Sequence, residues 1–215
     1  MIFRIIRRYD KEADRIVSQM KTFVLKVIGI TLLAIFAVAA ITYAAFAIFS
    51  PSSLASFYDG IGDYDKAVTY SYGNYERTGK REDLIVVCRY ALKSGDDKKT
   101  EKYLGKLVDD EFYSYCISKE DLGTDYYDFI TGKLAVSIYR NGSEKTAAAD
   151  KANELTKNYS GECALRAVMF ETIRSEDRAT VVYINGILSA RSAAAEGEEK
   201  TLLESDVYNV NAYLG

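Results

Sequence analysis

Between Val27 and Phe49 the chain runs for 23 residues with neither a charge nor a proline. As a helix this stretch is about 34 Å long at 1.5 Å per residue. A hydrocarbon core is about 30 Å thick, so the segment can cross it with some tilt. Only Gly29, Thr31, Thr42 and Tyr43 interrupt the aliphatic run, and threonine hydroxyls are tolerated in lipid because they bond back to helix carbonyls. A buried helix of a soluble domain would carry a polar stripe, which this one lacks. Ala45-Phe46-Ala47 has the small-x-small look of a cleavage site. The apolar run, however, far exceeds the roughly 7–15 residues of a cleaved leader. The expectation is an uncleaved transmembrane helix over 27–49.

The flanks set the direction. Residues 1–26 carry Arg4, Arg7, Arg8, Lys11, Arg15, Lys21 and Lys26 against Asp10, Glu12 and Asp14. On the other side Asp59, Asp63 and Asp65 precede the first cation, Lys66. Basic flanks stay in the cytoplasm, which predicts a single-pass protein of the cell membrane with a cytoplasmic N-terminus and residues 50–215 outside. Within 1–26, Ile2, Phe3, Ile5, Ile6, Tyr9, Ala13, Ile16, Val17 and Met20 recur at helical spacing among the cations. This makes a basic amphipathic arm suited to anionic lipid.

The outer segment is long enough for one ordinary domain. Histidine is absent, which removes the commonest general base and metal ligand. One proline and 14 glycines suit helices joined by short turns better than a β-sandwich. Cys88, Cys116 and Cys163 each sit among apolar residues and read as small buried hydrophobes; a disulfide between two of them is left open by their spacing. Asp96-Asp97 and Asp109-Asp110-Glu111 read as solvated helix ends rather than a metal site. There is no glycine-rich phosphate loop, no Ser-x-x-Lys and no Gly-x-Ser-x-Gly, and no base to activate a thiol. The expectation is a protein that is not an enzyme and needs no cofactor or metal. Its acidic outer part argues against nucleic acid.

Taken in order, the outer residues form helices about a dozen residues long. Two glycines, Gly60 and Gly62, break a first helix, and Asp63 opens a second with Tyr64, Ala67, Val68, Ser71, Tyr72 and Tyr75 on one face. Arg81 onward carries Leu84, Val87, Cys88, Ala91 and Leu92, stopped by Gly95. Its successor bears Thr100, Tyr103, Leu104, Leu107 and Val108. Thr124 or Asp125 is expected to cap a helix bearing Phe129, Ile130, Leu134, Val136, Ile138 and Tyr139, which Asn141-Gly142 ends through a left-handed residue. Helices over 143–157, 162–175 and 176–194 follow, and Leu202, Leu203, Val207, Val210 and Leu214 mark a last one that caps the series.

Gly62-x-Tyr64-x-x-Ala67-Val68 and Ala91-x-x-x-Gly95-Asp96 resemble pieces of the tetratricopeptide repeat, a 34-residue helix–turn–helix unit. Ala67, Thr100, Ala148 and Val182 fall at its small or β-branched position in the second helix. The spacing between Thr100 and Ala148 is one repeat plus an insertion, which Cys116–Asp125 could supply. The resemblance spans roughly 50–195, although the tryptophan, the Leu-Gly pair and the terminal proline of the pattern are mostly missing. It implies an all-α domain, an N-terminal transmembrane helix followed by a TPR-like stack of antiparallel helical hairpins. It also implies a concave face lined by first helices. On that face would lie Arg89, Lys93, Lys133 and Arg140, with Tyr90 beside them, as a basic aromatic groove for a partner.

The function expected from these features is that of a membrane-anchored adaptor or scaffold. It would hold another membrane or envelope protein through its outer domain. A membrane-tethered sensor with a closed ligand pocket is the alternative.

Overall fold

A computed structural model describes residues 2–215, with side chains at Arg15 and from Val17 onward. The amphipathic pattern of the arm falls largely on residues 1–14 and 16, whose side chains lie outside the described residues. Every element among the described residues is helical. The chain divides into two compact units, the first ending at Leu54 and the second covering Ala55–Gly215.

The first unit is dominated by one helix, α1 (Ile2–Phe49), which carries the arm into the apolar stretch without a break. From Val17 to Phe49 it is long and apolar enough to cross a membrane, and none of its most apolar stretch is buried against protein. Pro51 opens α2 (Pro51–Gly60), where a missing N–H costs nothing.

The second unit continues with α3 (Tyr64–Thr78), α4 (Arg81–Ser94), α5 (Asp97–Leu107), α6 (Phe112–Ser118), α7 (Gly123–Asn141), α8 (Lys145–Leu155), α9 (Ala164–Arg174), α10 (Arg178–Ala194) and α11 (Gly197–Leu214). Local chemistry sets several of the boundaries. The Asp63 carboxylate accepts from the Lys66 N–H at 3.2 Å at the start of α3. The Asp96 carboxylate accepts from the Lys98 and Lys99 N–H groups at the start of α5. Gly79 and Gly95 end α3 and α4 in the left-handed conformation.

Two boundaries differ from expectation. Helix α7 begins at Gly123 with no side-chain cap, so neither Thr124 nor Asp125 plays that part. Gly142 ends α7 with φ −72°, not left-handed; a Cβ there would sit 2.8 Å from the Ile138 carbonyl oxygen, so the glycine is needed for space. The connection between α5 and α7 holds a short helix, α6, over Phe112–Ser118, which overlaps the Cys116–Asp125 segment read as the insertion only at its end.

Helices pack on near neighbours in sequence: α3 on α4, α4 on α5, α5 on α7, α7 on α8 and α9, α8 on α9 and α10, and α10 on α11. Small side chains fill the closest approaches. Ala67, Ala91, Ala135, Ala148, Ala149, Ala152 and Ala164 are all fully buried, and large residues such as Leu104, Ile130, Leu165 and Leu188 fill the space between. Ala67, Thr100 and Ala148 are buried as the spacing predicts. Val182 is not; it is 55% exposed, and its neighbour Val181 takes the buried place. One residue is 100° of helix rotation, so an error of one turns a side chain away from its partner.

Among polar links whose separations run from 26 to 47 residues, several fall at 33 or 34. Lys93 bonds Asp59 at 2.6 Å, Lys99 bonds Asp65 at 2.5 Å and Lys106 bonds the Tyr72 hydroxyl at 2.5 Å, each 34 residues back. Tyr115 to Glu82 and Tyr183 to Asp150 repeat the pattern at 33 residues. Deeper in, Asp206 of α11 is fully buried. It accepts from the Tyr159 hydroxyl at 2.6 Å and pairs with the Arg166 guanidinium at 2.9 Å.

Candidate binding groove

Helices α4, α7 and α9, with the start of α5, line an open groove of about 930 Å³. Each helix presents one stripe to it. Arg89 and Lys93 stand one turn apart on α4. Phe129, Lys133, Val136 and Arg140 follow the helical repeat along α7. Phe170 and Arg174 do the same on α9. The floor is narrow where α7 meets the segment entering α9. Gly132 is buried there, and a Cβ on it would lie 3.1 Å from the Glu162 carbonyl oxygen and 3.3 Å from the Ala167 Cβ.

Four of the five residues singled out in the sequence, Arg89, Lys93, Lys133 and Arg140, line this one groove. The fifth does not. Tyr90 is 7% exposed and packs in the core, because it lies 100° around α4 from Arg89. The aromatic lining comes instead from Phe129, expected in the core but 39% exposed, and from Phe170, 53% exposed. The groove is also less uniformly basic than the sequence implies, since Asp97, Glu162 and Glu171 share the lining with five cations.

These charges divide into paired and unpaired. Arg140 donates from Nε to Glu171 at 2.8 Å and from Nη1 to Asp97 at 3.4 Å. Arg174 donates to the same Glu171 oxygen at 2.7 Å. Burial pushes the Glu171 carboxyl up, but the two guanidinium groups outweigh it and hold it below the usual carboxylate range. Lys93 is tied to Asp59. Among the described residues Arg89 faces the groove without a carboxylate partner. Lys133 has none either, its ammonium resting 5.5 Å from the Phe129 ring centroid. The groove therefore offers two uncommitted cations beside two exposed aromatic rings.

The remaining candidates for chemistry are spent on structure. Cys88, Cys116 and Cys163 are free and buried; burial raises the thiol of Cys88 to about 12 and that of Cys116 to about 11, which leaves both protonated and unreactive at neutral pH. Asp96 caps a helix and Asp109 holds Arg81 in a two-bond pair at 2.9 and 2.8 Å. Among the described residues no cluster of three histidine, cysteine or carboxylate side chains could hold a metal ion. No family model matches the chain, nor does any curated protein or solved structure.

Proposed function

We propose that this chain is a single-pass membrane adaptor, anchored through α1 with its N-terminus in the cytoplasm, whose outer helical domain takes a partner protein into the α4–α7–α9 groove. The carrying observation is the convergence of Arg89, Lys93, Lys133 and Arg140 from separate helices on one open groove. A tetratricopeptide-like arrangement is the reading of the fold that accounts for it. In such an arrangement helices α4, α7 and α9 are the first helices of successive hairpins and share the concave side. The recurrence of polar links at separations of 33 and 34 residues supports that period, and the connection holding α6 interrupts it. The groove's openness suits a protein partner better than an enclosed small ligand. Tethering confines the search for that partner to the membrane surface.

The test is photo-crosslinking in cells from a photoreactive residue at Phe170, with capture read by mass spectrometry of the membrane fraction. Arg89→Glu with Lys133→Glu is the informative reversal, because neither side chain holds a carboxylate of the fold. Recurrent capture of one or two membrane proteins, lost in the double variant, is the expected result. Capture that survives the double reversal with unfolding unchanged removes the groove from the proposal. Arg140→Glu is the poorer probe, since it also strands Glu171 and Asp97.

A further inference from the structure

Helix α2 has two faces of different character. Leu54, Ala55 and Tyr58 are buried, and Tyr58 stacks on Tyr70 with ring centroids 5.4 Å apart. The opposite face is exposed, consisting of Ser52, Ser53, Ser56 and Phe57 and, one turn on, Ile61. Phe57 is 59% exposed and Ile61 62%. No charged side chain lies among these residues, and Asp59 on the flank is drawn off to Lys93. A large aromatic and a large aliphatic side chain, four residues apart on a charge-free face, form a surface suited to an apolar medium.

Chain connectivity says which medium is at hand. Phe57 follows Phe49, the last residue of α1, by eight positions. Even fully extended, eight residues reach only about 28 Å, and as a helix about 12 Å. Where α1 crosses a bilayer, Phe57 cannot leave the neighbourhood of the leaflet from which the chain emerges. The serines beside it suit the wet side of that boundary, where polar hydroxyls stay hydrated while rings and aliphatic groups enter the acyl region.

We propose that the exposed face of α2, through Phe57 and Ile61, beds into the headgroup–acyl boundary of the outer leaflet and restrains the outer domain on the membrane surface. The occupant is lipid. The inference rests on α1 spanning the membrane, and the test separates the two ideas.

The chain contains no tryptophan, so a single introduced one is the sole indole emitter. Full-length Phe57→Trp, Ile61→Trp, Phe36→Trp and Tyr208→Trp are each reconstituted into phosphatidylcholine vesicles carrying a quencher either near the headgroup or near the bilayer centre. All four positions are exposed, so the substitutions leave the packed core alone. The expected result is blue-shifted emission from positions 57 and 61, quenched more by the shallow label than by the deep one. Position 36 should be quenched more by the deep label, and position 208 by neither. Deep quenching at 36 with water-exposed, unquenched emission at 57 and 61 overturns the proposal while leaving the anchor intact. Unquenched emission at 36 overturns the anchor itself. Equal quenching at 57 and 208 also overturns the proposal, because the contact would then not belong to α2.

Discussion

Helix α1 and the helices of the second unit solve opposite problems with the same secondary structure. From Val27 to Phe49, α1 is apolar on every side, and none of its most apolar stretch is buried. Helices α3 to α11 each bury part of their surface against neighbouring helices, and some apolar residues, Phe129, Phe170 and Val182 among them, stay exposed. The lesson lies in angular distribution rather than in total hydrophobicity. A uniform helix declares its surroundings and leaves its orientation about its own axis undetermined, whereas a striped helix declares its partners and needs every residue in phase.

Four changes would break or sharpen this contrast. The largest effect is expected inside the outer domain. Asp206→Ala leaves Arg166 and the Tyr159 hydroxyl without their buried acceptor and should cost about 3–5 kcal/mol. This is to be read as a lowered thermal midpoint in the tyrosine signal with membrane fractionation unchanged. Next comes Leu33→Arg in α1, which should cost about 2.5–3.5 kcal/mol of insertion free energy. It should release protein from the membrane fraction and leave the outer-domain midpoint where it was. Were Leu33→Arg to lower that midpoint, α1 would pack as a core helix and the contrast would fail. Third, Gly132→Leu forces a side chain into the 3.1 Å approach between α7 and Glu162 and should destabilise by about 1–3 kcal/mol. Crosslinking yield from Phe170 should fall with it, since the same approach forms the groove floor.

The smallest effect concerns pH. Burial lifts the Asp128 carboxyl above its ordinary value, with Asp125 and Glu162 adding to the rise and the Ser160 hydroxyl, 2.5 Å away, opposing it. A carboxyl raised in the folded state takes up its proton there first. Its stabilising contribution is complete below the ordinary carboxylate value and is lost as pH rises through the raised one. The stability of the parent chain minus that of Asp128→Asn should therefore grow on acidification from neutral pH through that window. A difference that stays flat would mean Asp128 ionises normally.

How far the sequence could be read follows from the same contrast. The apolar span of α1 was legible because composition alone suffices. Helix ends of the second unit were legible where a residue has one dominant use, as at Gly79, Gly95, Asp63 and Asp96. What failed was phase. Val182 taken for Val181, Tyr90 assigned to the groove and Phe129 assigned to the core are each errors of rotation about a single helix axis, made where apolar and polar residues alternate too densely for one stripe to stand out. Asp128 and Asp206 failed for another reason. A lone carboxylate in a helix reads as solvated, and only tertiary contact with Ser160, or with Tyr159 and Arg166, reveals that it is buried. The groove's paired charges were equally hidden, because Arg140 and Glu171 are 31 residues apart.

The near-neighbour packing of the outer helices has a mechanical consequence. On the adaptor reading, a partner pulling on the α4 side of the groove would load α3, the Tyr58–Tyr70 stack and the Lys93–Asp59 bond. Helices α10 and α11 lie beyond the point of attachment and would feel no tension. A chain built this way resembles a rope fixed at one end, whose strength under load is that of the knots between the hand and the hook.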